Sequence, residues 1–402
     1  MIEVIQGPAS PPEVQNLNRT PTTARPPLLK PSPLRPDCLA IDRMKCWKPV
    51  NARNTLDQNG LPTNLTHRDL HRIATVLEDA YAPSTRGTYG TGLLTFHLFC
   101  DLRNITEEHR APIDPTILAT FISNLIDIYG GNTIKNFVYG IRAWHIIHGT
   151  PWRVVDHELQ ALLTAGNRRA PKDSKRDEKQ PWTIDYLEQI CRHLNANDPK
   201  DAAILACLTT TFWSTARLGE VTVENLKSFN PQRHVKVSDV RFDVPDRNNL
   251  TVTEIFIPWT KSSREKGETI FWGKQRGITD PQEALTNHLR VNKLPRDCHL
   301  FAYRHERTFR PMTKPIFRAR VYEIASENKM EKISCHGIRI GSTLEYLLRG
   351  LPFDVVKSKG RWQSDAFKGY LRKHAQIMTP YMQEDPRGSF ESFIHYAMPP
   401  VR

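Results

Sequence analysis

Three short runs in the second half of the chain alternate apolar and polar residues, and they limit the possible folds more than any other feature. The runs HVKVSDVRFDV, NLTVTEIFIPWT and GETIFWG are rich in β-branched and aromatic residues, which is typical of β-strands. Together they predict one small three-stranded antiparallel sheet. The other periodic segments have the roughly 3.6-residue spacing of amphipathic helices. The sequence therefore predicts a mainly α fold that contains a single small sheet.

The first half of the chain shows helical spacing only. It starts near residue 67 and continues to residue 168, and the segment at Asp114–Pro115 is a favourable helix start. Lysine and arginine are spread over the polar faces of several of these helices. We expect residues 67–168 to form an all-helical domain from the segments RDLHRIATVLEDAYA, TRGTYGTGLLTFHLFCDLRNI, DPTILATFISNLIDIYG, NTIKNFVYGIRAWHIIHG and HELQALLTAGNRR.

Composition marks the ends of this helical domain. Residues 1–66 hold 11 of the 30 prolines, which predicts an extended, disordered tail. Residues 169–182 are charged and contain two prolines, so we expect an interdomain linker that is either simply exposed or follows a phosphate backbone. A second domain, mostly α with the small sheet, is expected at residues 183–380. Residues 381–402 then form a C-terminal tail.

The charge of the chain points to a polyanionic partner. Lysine and arginine number 56 against 43 acidic residues, which gives a net charge of +13. Nucleic acid is the first candidate, and a basic protein without such a partner is the alternative. The sequence contains no run of about 18 apolar residues, so we predict no membrane span, and MIEVIQGPASPPEV lacks the pattern of a secretory signal.

The cysteines favour neither a disulfide framework nor a metal site. They are seven in number, and no two are spaced as Cys-x-x-Cys. Thiols of this kind fit a reducing compartment, the cytosol or the nucleus. Cys207 lies in an apolar run and is expected to be a small buried core residue.

The second domain contains residues suited to breaking a phosphodiester without a metal. That reaction needs an in-line nucleophile, positive groups for the non-bridging oxygens and a proton for the leaving oxygen. Arginine suits the second task because its planar fork matches phosphate oxygens and keeps its charge. Four segments supply such residues in one order along the chain: STARLGE with Arg217 and Glu220, PWTKSSREKGET with Lys261, SCHGIRIGS with His336 and Arg339, and KGRWQSDAFKGYLRKH with Tyr370.

In these segments the chain resembles the tyrosine recombinase (phage-integrase) family. Ala216–Glu220 resembles the family's Ala-Arg-x-Gly-Glu run, His336–Arg339 its His-x-x-Arg motif, and the segment ending in Tyr370 its final motif. The helical region, with a Thr-x-x-x-Tyr start near Thr85, resembles the family's SAM-like core-binding domain. The resemblance covers residues 68–375, and HGIRIGS and KGRWQSDAFKGYLR are most similar to recombinases of eukaryotic mobile elements such as Crypton-like transposons.

The resemblance implies a reaction and a role for each residue. Tyr370 would attack the scissile phosphate and form a 3′-phosphotyrosyl link, with neither metal nor other cofactor. Arg217 and Arg339 would hold the non-bridging oxygens, and Glu220 would orient Arg217 or His336. His336 would accept or share a proton. Lys261, in a turn between two predicted strands, would protonate the leaving 5′-oxygen.

One position departs from the family pattern. The residue nine positions before Tyr370 is Arg361, where the family has His or Trp, and Trp362 lies eight before it. We expect Trp362 to fill the position through packing and an indole N–H hydrogen bond, with Arg361 contacting the DNA backbone. In the alternative, Arg361 fills the position itself. Arg168 and Arg169, at the end of the helical domain, are also expected to bind DNA.

The resemblance also implies partners. Double-stranded DNA would lie between the two domains, and strand exchange would require a dimer or tetramer. Residues 381–402 carry Phe390, Phe393 and Tyr396, which would pack either on their own domain or on a neighbouring protomer. The location would be the nucleus, or the cytoplasm of a prokaryote. The alternative functions are a catalytically inactive, domesticated DNA-binding protein of the same fold and a type IB topoisomerase.

Overall fold

The chain divides into two compact units, Met1–Asp177 and Glu178–Arg402. The division falls within the segment that the sequence predicts to be a linker. The mainly α fold with one three-stranded antiparallel sheet is confirmed. A computed structural model describes the following residues: 28–57, 59–174, 177–245, 249–260, 263, 265–363, 368–369 and 377.

The first unit is built around the close packing of two long helices, α3 and α5. A Cβ on Gly92 of α3 would lie 2.5 Å from the backbone of Phe137, and one on Gly140 of α5 would lie 2.5 Å from the carbonyl oxygen of Tyr89. These glycines let the two backbones approach, while Phe96 fills the core beside them. The helices in the described part of this unit are α1 (Arg43–Cys46), α2 (His67–Asp79), α3 (Pro83–Leu102), α4 (Pro115–Leu125), α5 (Gly131–His148) and α6 (Asp156–Arg168).

The prediction of a disordered tail over residues 1–66 is wrong for the part that the structure describes, which begins at residue 28. Met44 and Trp47 are buried against the helices of the first unit. Arg35 donates two hydrogen bonds to the buried carboxylate of Asp101, at 2.9 and 3.1 Å. A few long-range contacts therefore order a segment whose proline content alone predicts the opposite. Residues 1–27 lie outside the described residues.

The second unit is organised around a helix that is buried along nearly its whole length, α8. Two of its buried hydroxyl groups bond to the helix itself, since Thr209 donates to the carbonyl of Leu205 at 2.9 Å and Thr211 to that of Cys207 at 2.6 Å. Cys207 itself is fully buried, as expected. The helices described in this unit are α7 (Ile184–Arg192), α8 (Pro199–Trp213), α9 (Leu218–Val221), α10 (Pro281–Asn292), α11 (Lys314–Glu327), α12 (His336–Leu348) and α13 (Phe353–Lys359).

The three-stranded sheet has the order β1-β2-β3 with antiparallel neighbours. Ile255 and Ile257 of β2 face the core, whereas Phe256 between them is exposed, so the alternation in the sequence marks one buried face. A second sheet of two strands, β4 and β5, was not predicted. The strands are β1 (Val240–Pro245), β2 (Thr251–Ile257), β3 (Glu268–Gly273), β4 (Tyr303–His305) and β5 (Thr308–Arg310).

No helix in the described ranges combines the length and the apolar character needed to cross a membrane.

Candidate active site

Arg217 lies at the break between α8 and α9. Thr215 has a left-handed backbone with φ of +55°, which ends the apolar helix and makes Arg217 the residue preceding α9. The carboxylate of Glu220 accepts hydrogen bonds from the backbone N–H and the guanidinium of Arg217, both at 2.8 Å. Glu220 is 7% exposed and Arg217 is 38% exposed. The carboxylate thus holds one side of the guanidinium while the remainder faces solvent.

Arg339 lies in the first turn of α12 and is almost wholly buried, at 2% exposed. Its guanidinium donates to the carbonyl oxygen of Gly360 and lies 4.2 Å from the centre of the Trp362 ring, which is a cation–π geometry. The intervening residue, Arg361, has φ of +57° and turns the chain so that Gly360 and Trp362 both contact Arg339. Trp362 therefore packs into the site from eight positions before Tyr370.

His336 lies one turn before Arg339 on α12 and reaches solvent. Loss of hydration on its protein side, followed by the positive charges of nearby lysines and arginines, lowers the pKa of His336 to about 4. The imidazole is therefore neutral at pH 7, and it can take up a proton when an anion arrives. The cations that act on it are, in decreasing order, Lys179, Arg339, Lys314 and Arg217.

The two lysines in this group were not predicted from the sequence, and backbone contacts explain how their segments come near His336. Trp182 donates its backbone N–H to the carbonyl of Gly337 at 3.0 Å, which docks the segment that carries Lys179 on the first turn of α12. Lys314 donates its backbone N–H to the carbonyl of Val223 at 3.2 Å, which places the start of α11 beside the end of α9. No local pattern signals these contacts, because both join segments that are distant in sequence.

The structure corrects the expected role of Arg361. Its side chain is 11% exposed, and it donates to Glu268 at 2.9 Å and to Glu220. A guanidinium that binds two carboxylates and is mostly buried does not fit a contact with the DNA backbone. Arg361 instead belongs to the inner network around Arg217.

Lys359 is a further residue that no sequence motif singled out. Burial lowers its pKa to about 8. Its ammonium donates to the carbonyl of Phe271 at 3.0 Å and lies 4.4 Å and 4.8 Å from the ring centres of Phe271 and Tyr346. This contact ties the end of α13 to β3, just before the turn that holds Arg339.

Two predicted catalytic residues, Lys261 and Tyr370, lie outside the described residues, as does the tail at 381–402. Lys261 falls in the connection between β2 and β3. Arg168 and Arg169, in the first unit, are both exposed. Arg169 forms an exposed ion pair with Asp127.

Together these residues form a site suited to a phosphate group. Arg217 provides a partly exposed guanidinium fork, Arg339 provides a second fork that is buried in this structure, and the charges of both act on a neutral His336. Among the described residues, no group of three or more His, Cys, Asp or Glu side chains could hold a metal ion.

Comparison with solved structures shows the fold. The XerH site-specific recombinase, bound to its palindromic difH substrate in a post-cleavage complex, matches with a TM-score of 0.50 and 12% identity over 80% of this chain and 85% of that chain. The chain therefore has the mainly α tyrosine recombinase fold. XerA recombinase (14% identity, 79% of this chain, 99% of that chain) and a Flpe–Holliday junction complex (13%, 82% and 83%) match with TM-scores of only 0.37 and 0.33. No protein-family model and no curated protein matches the chain.

Proposed function

We propose that this protein is a tyrosine recombinase that cleaves and rejoins double-stranded DNA through a 3′-phosphotyrosyl intermediate. One observation carries the proposal: Arg217 is distant in sequence from the turn that holds His336 and Arg339, yet the fold joins the two regions. Glu220, the partner of Arg217, binds Arg361, and Arg339 donates to the carbonyl of the preceding residue, Gly360. Both arginines also act electrostatically on His336. Two guanidinium forks beside a neutral imidazole suit a phosphodiester whose charge increases during reaction. The likeness to XerH, solved with its DNA substrate after cleavage, supports the same conclusion.

In this reaction the phenolic oxygen of Tyr370 attacks phosphorus and the 5′-oxygen of the DNA leaves. A free tyrosine has a pKa of about 10, so forming the phenolate at pH 7 costs about 4 kcal/mol. The arginines reduce that cost and neutralise the five-coordinate transition state. His336 takes up or shares a proton, and Lys261 delivers one to the leaving oxygen. Rejoining is the reverse attack by a 5′-hydroxyl, so the covalent link conserves the bond energy.

The assembly and setting follow from this chemistry. Exchanging strands requires two cut duplexes, so we propose a dimer or tetramer on paired sites. The tail at 381–402 then packs on its own protomer or on a neighbour. The similarity of HGIRIGS and KGRWQSDAFKGYLR to recombinases of eukaryotic mobile elements leads us to propose a nuclear enzyme that integrates or excises such an element. The net charge of +13 favours phosphate contacts whose strength falls with salt.

One observation favours the second candidate, a protein of this fold that binds DNA without cutting it. Arg339 is 2% exposed and lies against the Trp362 ring. A phosphate oxygen reaches its guanidinium only if that region rearranges. A binding protein has no need of such a rearrangement.

The test uses nicked duplexes taken from the genomic flanks of the gene. After incubation and boiling in detergent, wild type is expected to give a DNA–protein adduct, and Tyr370→Phe is expected to give none. Tight binding to these duplexes with no adduct on any of them would establish the second candidate instead. An adduct with the same yield in Tyr370→Phe would refute the assignment of the nucleophile.

A further inference from the structure

Arg361 lies at the centre of an ion cluster that links two parts of the candidate site. Its Nη2 donates to Oε2 of Glu220, the same oxygen that accepts from the backbone N–H of Arg217. Its Nη1 donates to Glu268 at 2.9 Å. The cluster of Arg217, Glu220, Arg361 and Glu268 holds two positive and two negative charges. Glu220 is 7% exposed and Glu268 is 18% exposed, so water does little to compensate for a missing partner.

This cluster joins three segments whose relative positions matter for the proposed reaction. Glu220 belongs to α9, next to Arg217. Glu268 begins β3, seven residues after Lys261, so it anchors one end of the β2–β3 connection. Arg361 itself lies between Gly360 and Trp362, the two residues that contact Arg339. One side chain therefore links the environments of both motif arginines to the base of the hairpin.

The backbone of Arg361 is held in a conformation that side-chain-bearing residues avoid. Its φ of +57° costs on the order of 1 kcal/mol for a residue other than glycine, and such strain persists only where the surroundings enforce it. Glycine would relieve the strain but would remove the guanidinium. The strained turn has a further consequence, because it brings the carbonyl of Gly360 and the ring of Trp362 to the same face of Arg339.

We propose that Arg361 is a positioning residue for the cleavage reaction: it holds Glu220, and through it Arg217, and fixes the base of the hairpin that carries Lys261, without touching DNA. The inference rests on the proposed function. It also accounts for the departure from the family pattern, since the residue nine positions before Tyr370 is a structural cation and Trp362 supplies the ring.

The electrostatics of Glu220 provide a readout that packing alone does not move. Burial by itself would raise the pKa of this carboxyl, but Arg361 and Arg217 outweigh burial and hold the pKa below its ordinary value. Removing Arg361 therefore raises the pKa of Glu220. At mildly acidic pH the carboxyl then becomes protonated and loses its grip on Arg217, whereas in wild type it stays ionised.

The experiment compares Arg361→Met and Arg361→Lys with a matched control, Arg320→Met. Arg320 is also a partly buried arginine that binds two carboxylates, those of Asp201 and Glu323 at 2.9–3.0 Å, but it belongs to no part of the site. Three quantities are measured for each protein: the thermal midpoint, DNA affinity at two salt concentrations, and the rate of adduct formation from pH 5 to pH 8.

For Arg361→Met we expect a loss of adduct rate on the order of 100-fold, as for a displaced reacting group. The acid limb of its pH profile is expected to move to higher pH, while DNA affinity and its salt slope stay as in wild type. Arg361→Lys, which keeps the charge but not the two-sided fork, should recover part of the rate. Arg320→Met should lose thermal stability but keep the wild-type rate and pH profile.

Two results would overturn the inference. One is an adduct rate for Arg361→Met equal to that of Arg320→Met. The other is a salt slope that falls by about one unit, which indicates a lost phosphate contact. If wild type itself forms no adduct on any substrate, the proposed function fails separately. The cluster is then judged by the pH dependence of thermal unfolding. An acid loss of stability that begins at higher pH in Arg361→Met than in wild type supports the electrostatic link between Arg361 and Glu220, and parallel curves refute that link.

Discussion

Substituting Gly341 tests most sharply how the helix that carries His336 and Arg339 is held. The backbone of Trp182 crosses α12 at this glycine. A Cβ at position 341 would lie 1.9 Å from the carbonyl oxygen of Trp182 and 2.8 Å from its carbonyl carbon, and backbone atoms cannot rotate out of the way. Because ordinary contact begins near 3.4 Å, Gly341→Ala must push the two backbones apart by about 1.5 Å.

The expected cost follows from that displacement. Overpacking a well-filled core costs about 1–3 kcal/mol, and two rigid backbones place this substitution at the upper end. For a unit of this size, about 3 kcal/mol lowers the thermal midpoint by roughly 6–12 °C. A shift of α12 by more than 1 Å also displaces His336 and Arg339, so we expect DNA cleavage to slow by on the order of 100-fold. Thermal unfolding and adduct formation measure the two effects.

Gly87→Ala is the control, because a Cβ on this α3 glycine meets nothing within 4 Å. It should raise the free energy of unfolding by about 0.5–1 kcal/mol through reduced backbone entropy. If the free energy of unfolding of Gly341→Ala lies within about 0.5 kcal/mol of wild type, then Trp182 does not lie on α12, and the explanation of how Lys179 reaches His336 fails with it.

Three further outcomes are expected. The pKa of His336, measured by NMR titration, should lie near 4 in the free protein and rise in Lys314→Ala. A value near 6.5 in the free protein would contradict the claim that burial and nearby cations lower it. In the folded protein the pKa of Lys359 is lowered from 10.5 to about 8. Between those pH values the unfolded state binds more protons, so the free energy of unfolding rises with pH. Chemical denaturation of Lys359→Met should show a smaller rise, and an equal rise in both proteins would contradict the burial of Lys359. In the first unit, Asp101→Ala removes the buried carboxylate that Arg35 and Arg110 share and leaves them the more exposed carboxylate of Glu107. This should destabilise the unit by about 3–5 kcal/mol and expose residues 28–57 to proteases. Unchanged proteolysis would show that Arg35 does not anchor them.

Local patterns in the sequence account for the elements of the fold. Alternation along β2 marks Ile255 and Ile257 as the buried face, and the sheet follows from it. The start of α4 follows from Asp114, whose carboxylate accepts from the backbone N–H of Thr116 and Ile117. Such features depend on neighbours within a few residues, which is why a single sequence reveals them.

Features that depend on long-range contacts were missed or misjudged. Residues 28–57 are ordered by Arg35 and by buried Met44 and Trp47, which composition does not reveal. The side chain of Arg361 points into the ion cluster because its backbone is left-handed. A glycine at this position would have indicated such a backbone in the sequence, but an arginine does not. Lys314 acts on the pKa of His336 because its backbone bond to Val223 sets the start of α11 beside the end of α9. Glu220 was expected to orient Arg217 or His336, and the structure shows its ion pair with Arg217, three positions earlier at the start of α9.

The central claim is that Tyr370 becomes covalently joined to DNA, and mass spectrometry of the trapped adduct tests it most directly. After nuclease and protease digestion, we expect a peptide that contains Tyr370 to carry a nucleotide through a 3′-phosphate on the phenolic oxygen. A nucleotide attached to another residue, or a 5′-phosphate link at Tyr370, would contradict the proposed mechanism.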